Sequence, residues 1–347
     1  MRVAIVFGGS SFEHEISIVS AITLKNVIKK HQLEFIFIDS NRDFYLINSQ
    51  DMKSKFFSSK EYLKKSKKLT LQKGGFYLNS LFGNKKIEFD IALNLIHGRD
   101  GEDGKIASMF AFFDVKYIGP RIEASVLSFN KLYTKWYANF LGVKTIDYKV
   151  LDINDKRDLD LTYPVIIKPV RLGSSIGVSI VKSEDELDYA LDVAFEFDEQ
   201  VIIEPFIEGI KEYNLAGYFA KEWKLSIIEE PQKEEFLDFD KKYLDFSRDS
   251  RVVEANIDDS LKEKMQESFK AIYGSLFMGA IIRCDFFVVN DEVYLNEINP
   301  IPGSMANYLF KDFDVVLNEV ATNLPTFKDV KIDYLYINNI QKVKGKA

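Results

Sequence analysis

The 347-residue sequence has a single cysteine, three histidines, no surplus of positive charge and no long apolar run. One cysteine, Cys284, rules out a disulfide framework within the chain and fits a reducing compartment, the cytoplasm. It stands between Arg283 and Asp285 on an expected strand, points to the face opposite theirs, and reads as a small core residue rather than a nucleophile. No stretch approaches the roughly 20 apolar residues of a membrane span, and the opening MRVAIVFGG lacks the apolar core of a secretion signal. A net charge of −7 argues against a nucleic-acid partner, which needs a basic face, although local basic pockets for phosphates stay open. What is present is the composition of a globular protein. Hydrophobic residues make up 46%, with 29 Phe and 17 Tyr to fill cores, over a length that suggests two or three domains.

Residues 3–7 form a continuous apolar run ending at Gly8-Gly9-Ser10-Ser11, which predicts a first buried strand; a helix over 14–30 and a strand over 33–38 complete a βαβ pattern. The GGSSFE stretch is not a G-x-G-x-x-G dinucleotide fingerprint, and without it Asp39 is weak support for a ribose contact. Glu13 lies at the carboxyl end of a strand, where open α/β sheets bind ligands; a helix-start acid facing the dipole is the alternative. Residues 40–88 are Lys-, Ser- and Phe-rich, with short strands at best. A buried strand over 89–96 runs into His97-Gly98-Arg99-Asp100-Gly101-Glu102-Asp103-Gly104, a loop glycine-rich enough for backbone to approach a ligand. A helix over 104–113, a strand over 115–118 and the Gly119-Pro120 pair close the first unit.

A single helical stretch over 122–141 carries Lys131, which by itself reads as a solvated lysine. The strand over 165–168 ends at Lys168 and leads into Gly173-Ser174-Ser175-Ile176-Gly177, a flap whose N–H groups can wrap phosphate oxygens. It is not a Walker loop, because no G-K-[ST] precedes a helix; Lys168 is placed as a fixed point charge. A helix over 185–197 and a strand over 201–204 follow. The run Glu204-Pro205-Phe206-Ile207 then changes direction as a hinge that could present backbone groups to a base. Strands over 213–219 and 225–229, a long loop over 230–251, a helix over 261–277, a hairpin, a last helix over 315–324 and a Lys-rich tail finish the chain.

The hairpin carries the densest chemistry. Arg283 and Asp285 sit one strand period apart, as do Glu297 and Asn299. With a three-residue loop, Val289 faces Val293, Asp285 faces Glu297 and Arg283 faces Asn299, so two carboxylates and an amide converge beside a guanidinium. A two-residue Asn290-Asp291 turn would put Asp285 and Glu297 on opposite faces. Oxygen donors with paired acids suit Mg²⁺ or Mn²⁺; an amphipathic hairpin with a solvated polar face is the bland alternative.

Five segments in order, GGSSFEHEIS at 8–17, HGRDGEDG at 97–104, KPVRLGSSIG at 168–177, KKYLD at 241–245, and RCDFF with NEINPIPGS at 283–304, resemble the D-alanine–D-alanine ligases, a family of ATP-grasp ligases. The resemblance implies a three-domain α/β and α+β architecture with a Rossmann-like first domain: residues 1–120 for substrate, 121–207 as a central ATP-grasp domain with the phosphate lid, and 208–347 with the metal and catalytic site. It implies that Lys131 and Lys168 contact nucleotide phosphates, Ser174 and Ser175 form the lid, Glu204, Pro205, Phe206 and Ile207 meet adenine, and Glu212 meets ribose. Asp285, Glu297 and Asn299 would hold two Mg²⁺ or Mn²⁺ ions. Glu13 would take the first D-alanine's ammonium within a set including Ser174 and Tyr243. Arg283 and the Gly303 N–H would bind the oxyanion, with His97 near the first substrate and Lys242 near the transferred phosphate.

The implied reaction makes an acyl phosphate from ATP and one D-alanine, then joins a second for peptidoglycan synthesis. Many relatives carry a serine for the second carboxylate where Tyr308, followed by Leu309, stands here. Val170 replaces the usual small residue after Lys-Pro. Lys242-Tyr243 matches the D-alanine-adding members rather than the D-lactate-adding ones. A D-alanine–D-lactate ligase, another carboxylate–amine ligase and a non-catalytic nucleotide-binding relative are the rival readings. Family members are commonly dimers, so the expected partners are ATP, D-alanine and a second copy, with no nucleic acid and no membrane.

Overall fold

In the computed structural model, which describes residues 1–79, 83–231, 252–326, 328 and 330–343, the chain builds three β-sheets, each from one continuous stretch. The first begins with β1 (Arg2–Gly8), whose apolar run is buried on both faces, then α1 (His14–Val27) and β2 (Gln32–Ile38), parallel to β1. Helix α1 stops short of residue 30 because Lys29 and Lys30 turn their backbone N–H groups to the Asp314 carboxylate, at 3.1 and 2.9 Å, instead of continuing the helix. Residues 40–88 hold more order than expected. They form β3 (Phe44–Ile47), α2 (Ser54–Ser58), α3 (Tyr62–Lys65), β4 (Lys67–Gln72), β5 (Gly75–Leu78) and β6 (Lys85–Lys86), an antiparallel extension of the same sheet. Strand β7 (Ile91–Asn94), α4 (Lys105–Phe112) and β8 (Tyr117–Ile118) complete the order β6-β5-β4-β3-β2-β1-β7-β8.

The stretch over 122–141 is two helices, not one: α5 (Ile122–Phe129) and α6 (Lys131–Phe140). Asn130 breaks it by capping α6, its side chain accepting from the N–H groups of Leu132 and Tyr133 at 2.9 and 3.1 Å. Lys131 therefore opens a helix rather than riding mid-helix. The second sheet contains β9 (Lys149–Asp152), β10 (Val165–Pro169), β11 (Ser179–Val181) and β12 (Gln200–Pro205), in the order β11-β10-β12-β9. On it packs α7 (Leu187–Phe195), burying Leu187, Ala190, Leu191 and Ala194 against Val165, Ile167 and Val201.

The third sheet has β13 (Lys211–Phe219), β14 (Trp223–Glu229), β15 (Ile282–Val289) and β16 (Glu292–Asn299), ordered β14-β13-β15-β16 and antiparallel throughout. Its core, with Phe269 of α8 (Asp259–Tyr273), Cys284 and Phe286 fully buried, is continuous with that of β1 and α1. Cys284 is a core residue, as its alternation with Arg283 and Asp285 predicts. Helix α9 (Phe313–Thr322) follows, and the tail adds a further helix that the sequence reading lacked, α10 (Leu335–Val343). Among the described residues no helix is long and apolar enough to cross a membrane.

Candidate active site

The β15–β16 hairpin reaches the expected convergence by a different route. Its turn has two residues, not three: Asn290 and Asp291 both take positive φ (51° and 60°), as a type I′ turn requires, and Val289 pairs with Glu292. That turn alone would send Asp285 and Glu297 to opposite faces. A β-bulge corrects it. Phe286 pairs with Leu295, yet Asp285 pairs with Glu297, so Asn296 is the extra residue and Arg283 ends opposite Asn299. Apolar spacing carries the signal: Val293 and Leu295 are buried two apart, and the next buried residue is Ile298, three further on.

Asp285 is buried and clamped by Arg283, whose Nε and Nη2 donate to its two oxygens at 2.6 and 2.7 Å; Asn299 Nδ2 donates at 2.9 Å. Burial raises the Asp285 carboxyl to about 7, Arg283 pulls it down, and the charges of Glu297 and Glu212 push it up. Arg283 Nη1 also donates to the Tyr308 hydroxyl at 3.2 Å, tying the guanidinium to the segment after Pro302. There Ser304, Met305 and Ala306 all adopt left-handed φ (48°, 55° and 50°), costing roughly 1 kcal/mol or more each for residues with a Cβ. A Cβ at Gly303 would meet nothing within 4 Å, so its backbone borders open space. Leu309 is buried against Ala216 and Ala306 and supports the turn from the core side.

A second cluster lies on the second sheet. Glu204, at the end of β12, accepts from Lys168 at 2.6 Å and pairs with Lys135 at 2.7 Å, all but out of water. Burial alone would raise its carboxyl, but the two lysines outweigh it and hold it near 2. Lys168 also lies 3.5 Å from Asn296 Oδ1, so the bulged residue of the third sheet touches the lysine of the second. Lys131 donates through Nζ to Leu172 O and through its backbone to Val170 O (3.0 Å), which places it under the flap. Of the hinge residues, Pro205 is exposed, Phe206 bonds Pro164 O at 2.9 Å, and Ile207 is half-buried. Glu212 lies on β13 opposite Phe287, near enough for its charge to act on Asp285.

Glu13 joins the first sheet to the flap. Its carboxylate accepts from the Ser174 hydroxyl and makes no helix-capping bond, although the residue stands at the N-cap of α1. Two glycines make room for it: a Cβ on Gly98 would stand 2.3 Å from Oε2, and one on Gly173 would stand 3.0 Å from Oε1. Burial, then the charge of Glu102, raises the Glu13 carboxyl to about 7. Its Oε2 is buried with no partner among the described residues. Ser174 and Ser175 hold left-handed φ of 59° and 58°, and Arg171 ties the flap's base to Asp198, backbone N to Oδ2 at 2.6 Å. His97 is buried, with Nε2 3.0 Å from Ser20 Oγ, and Nδ1 3.8 Å from Glu102 Oε1. Lys242 and Tyr243 lie outside the described residues.

The chain matches two family models, D-ala D-ala ligase N-terminus over residues 2–120 and D-ala D-ala ligase C-terminus over residues 137–324. It is 64% identical to a D-alanine–D-alanine ligase of Sulfurovum sp. and 60% identical to one of Campylobacter concisus, across the whole of this chain and 99% or more of theirs. The crystal structure of the Helicobacter pylori D-alanine–D-alanine ligase superposes with a TM-score of 0.85 at 50% identity, covering 94% of this chain and all of that one. The chain belongs to the D-alanine–D-alanine ligase family. It is a ligase of the ATP-grasp fold, and the family's reaction is ATP-dependent joining of D-alanine to D-alanine for peptidoglycan.

Within that family frame, three site residues carried no role in the sequence reading. Lys135 follows Lys131 by one helical turn, and that i, i+4 spacing was the available signal. Glu102 sits inside the quoted HGRDGEDG loop; burial raises it to about 8, and the charge of Glu297 adds to this. Ser20 is a small, fully buried residue of α1. Its two bonds, to His97 and to the Ser304 N–H (3.1 Å), exist only because three distant segments meet. Among the described residues no group of three His, Cys, Asp or Glu side chains is arranged for a metal. The hairpin instead offers two carboxylates and the Asn299 amide. That oxygen-only set fits a hard divalent cation.

Proposed function

We propose that this site joins two D-alanine molecules through a D-alanyl phosphate, with residues 1–120, 121–207 and 208–347 acting as substrate, nucleotide-lid and metal-catalytic domains. The observation that carries the reading is the meeting of two buried clusters of unlike composition. A lysine-rich cluster with one carboxylate faces a carboxylate pair with one arginine, and they touch at Lys168 and Asn296. A nucleotide's phosphates suit the first and a divalent cation the second.

Lys131 and Lys168 hold the phosphates, and Ser174 and Ser175 cover them. Residues 204–207 meet adenine and Glu212 the ribose. The first D-alanine sets its ammonium against Glu13, whose Oε2 has a vacant acceptor. Its carboxylate attacks the γ-phosphorus, forming the acyl phosphate and releasing ADP. The amine of the second D-alanine then attacks the acyl carbon. Arg283 and the Gly303 N–H take the oxyanion, and inorganic phosphate leaves as the amine gives up a proton. Tyr308, bonded to Arg283, borders the second D-alanine. Asp285, Glu297 and Asn299 would hold Mg²⁺ or Mn²⁺. Bound there, such ions neutralise charge on the transferring phosphoryl group. ATP and D-alanine as substrates place the reaction in the cytoplasm.

The test is purified protein with ATP, Mg²⁺ and D-alanine, followed by ADP release and by mass detection of the dipeptide. Both are expected, and chelation by EDTA should stop them. Turnover only after D-lactate is added would move the assignment to the D-lactate branch.

A further inference from the structure

The left-handed turn after Gly303 needs a restraint, since three consecutive non-glycine residues hold a conformation they disfavour. The structure shows one. The Ser304 N–H donates to Ser20 Oγ at 3.1 Å, and that oxygen lies 3.0 Å from His97 Nε2. A serine hydroxyl has one proton. Its oxygen has two acceptor sites, so Ser20 Oγ takes the Ser304 N–H and still bonds His97 Nε2. On the ring's other side Glu102 Oε1 lies 3.8 Å from Nδ1. The bonds therefore run from the Ser304 backbone through Ser20 to His97, holding the far end of the Ile301–Ser304 segment to α1 and to the His97 loop. Ser20 is fully buried on α1 and His97 is 4% exposed, so water does not compete for these bonds.

We propose that Ser20 is a positioning residue of the ligation step: through its bonds to Ser304 and His97 it anchors the Ser304 end of the Ile301–Ser304 segment and so aims the Gly303 N–H at the developing oxyanion. The inference rests on the ligase reading, which assigns Gly303 to the oxyanion. It separates the two half-reactions, because acyl-phosphate formation does not use that donor whereas amine attack does.

The experiment compares the full-length protein with Ser20→Ala and with Ser20→Cys, which matches serine in size but bonds hydrogen weakly. Dipeptide formation should fall by about 100-fold in kcat in both, the loss that a misplacement of about 1 Å brings. The KM for ATP should be unchanged. So should scrambling of ¹⁸O from the β,γ-bridge of ATP in the presence of D-alanine, which reports the first step. Dipeptide formation at the wild-type rate in either variant would overturn the proposal. So would an equal loss of scrambling and ligation with a lowered melting temperature, the mark of a packing role alone. Failure of the wild-type protein to form ADP and dipeptide would instead sink the ligase reading.

Discussion

Two buried charge clusters face each other across the site, and they are balanced in opposite ways. On the second sheet, Lys135 and Lys168 surround Glu204 and hold its carboxyl near 2, so the cluster is locked as ions with positive charge to spare. On the third sheet, Asp285 and Glu297 share Arg283, and burial lifts Asp285 to about 7. The same burial that one cluster has already offset leaves the other strained. Arg283 offsets only part of that burial, because the charge of Glu297 acts on the same carboxyl. On the proposed reading, the lysine cluster is the anion's cradle and the acid pair the cation's site.

The largest effect should come from the acid pair. Asp285→Asn removes one of the pair's two charges and the bidentate partner of Arg283. It should cut ADP release by about 1,000-fold, on the order of losing an electrostatic stabiliser, and lower the melting temperature as the buried guanidinium loses its carboxylate. A fall in melting temperature with activity retained would erase the contrast between the clusters.

Next comes Glu204→Gln. It leaves two buried lysines without their carboxylate, at a cost of about 3 kcal/mol or more in denaturant unfolding. Because the Glu204 carboxyl is depressed, the pair's contribution is present above the unfolded value of 4.5 and is lost as pH falls towards about 2. The gap between wild type and variant should therefore be full at pH 7 and close in acid. An equal gap at pH 7 and pH 2.5 would show that the ion pair is not its source.

The smallest effect concerns Glu13, which belongs to neither cluster. Its carboxyl is raised to about 7, chiefly by burial, and must be ionised to receive an ammonium. Below that pH the proton competes, so kcat/KM for D-alanine should fall about tenfold per pH unit. Glu13→Gln should be slower throughout and lack that inflection.

Much of this was legible in the chain. The apolar runs at β1 and β7, the glycines beside Glu13 and the Lys-Pro flap announce their elements through local periodicity and turn chemistry. The hairpin partners Asp285–Glu297 and Arg283–Asn299 were also foreseen, though by way of a loop length that proved wrong; the bulge at Asn296 restored them. The break at Asn130 was missed because α5 and α6 continue one apolar pattern, and only the cap interrupts it. The antiparallel extension over 40–88 was missed because its strands gain their stability from pairing with β2, not from their own pattern.

By itself, the sequence determined the buried apolar strands, the glycine loops, the single-cysteine core and the types of charged group available, since these follow from side-chain period and backbone freedom over a few residues. Only the tertiary structure decided which charges neutralise one another. Lys135 with Glu204, Ser20 with His97 and Ser304, and Glu13 with Ser174 are pairs separated by tens to hundreds of positions. Their bonds, and the pKa values that burial and proximity then impose, arise only where the three sheets meet.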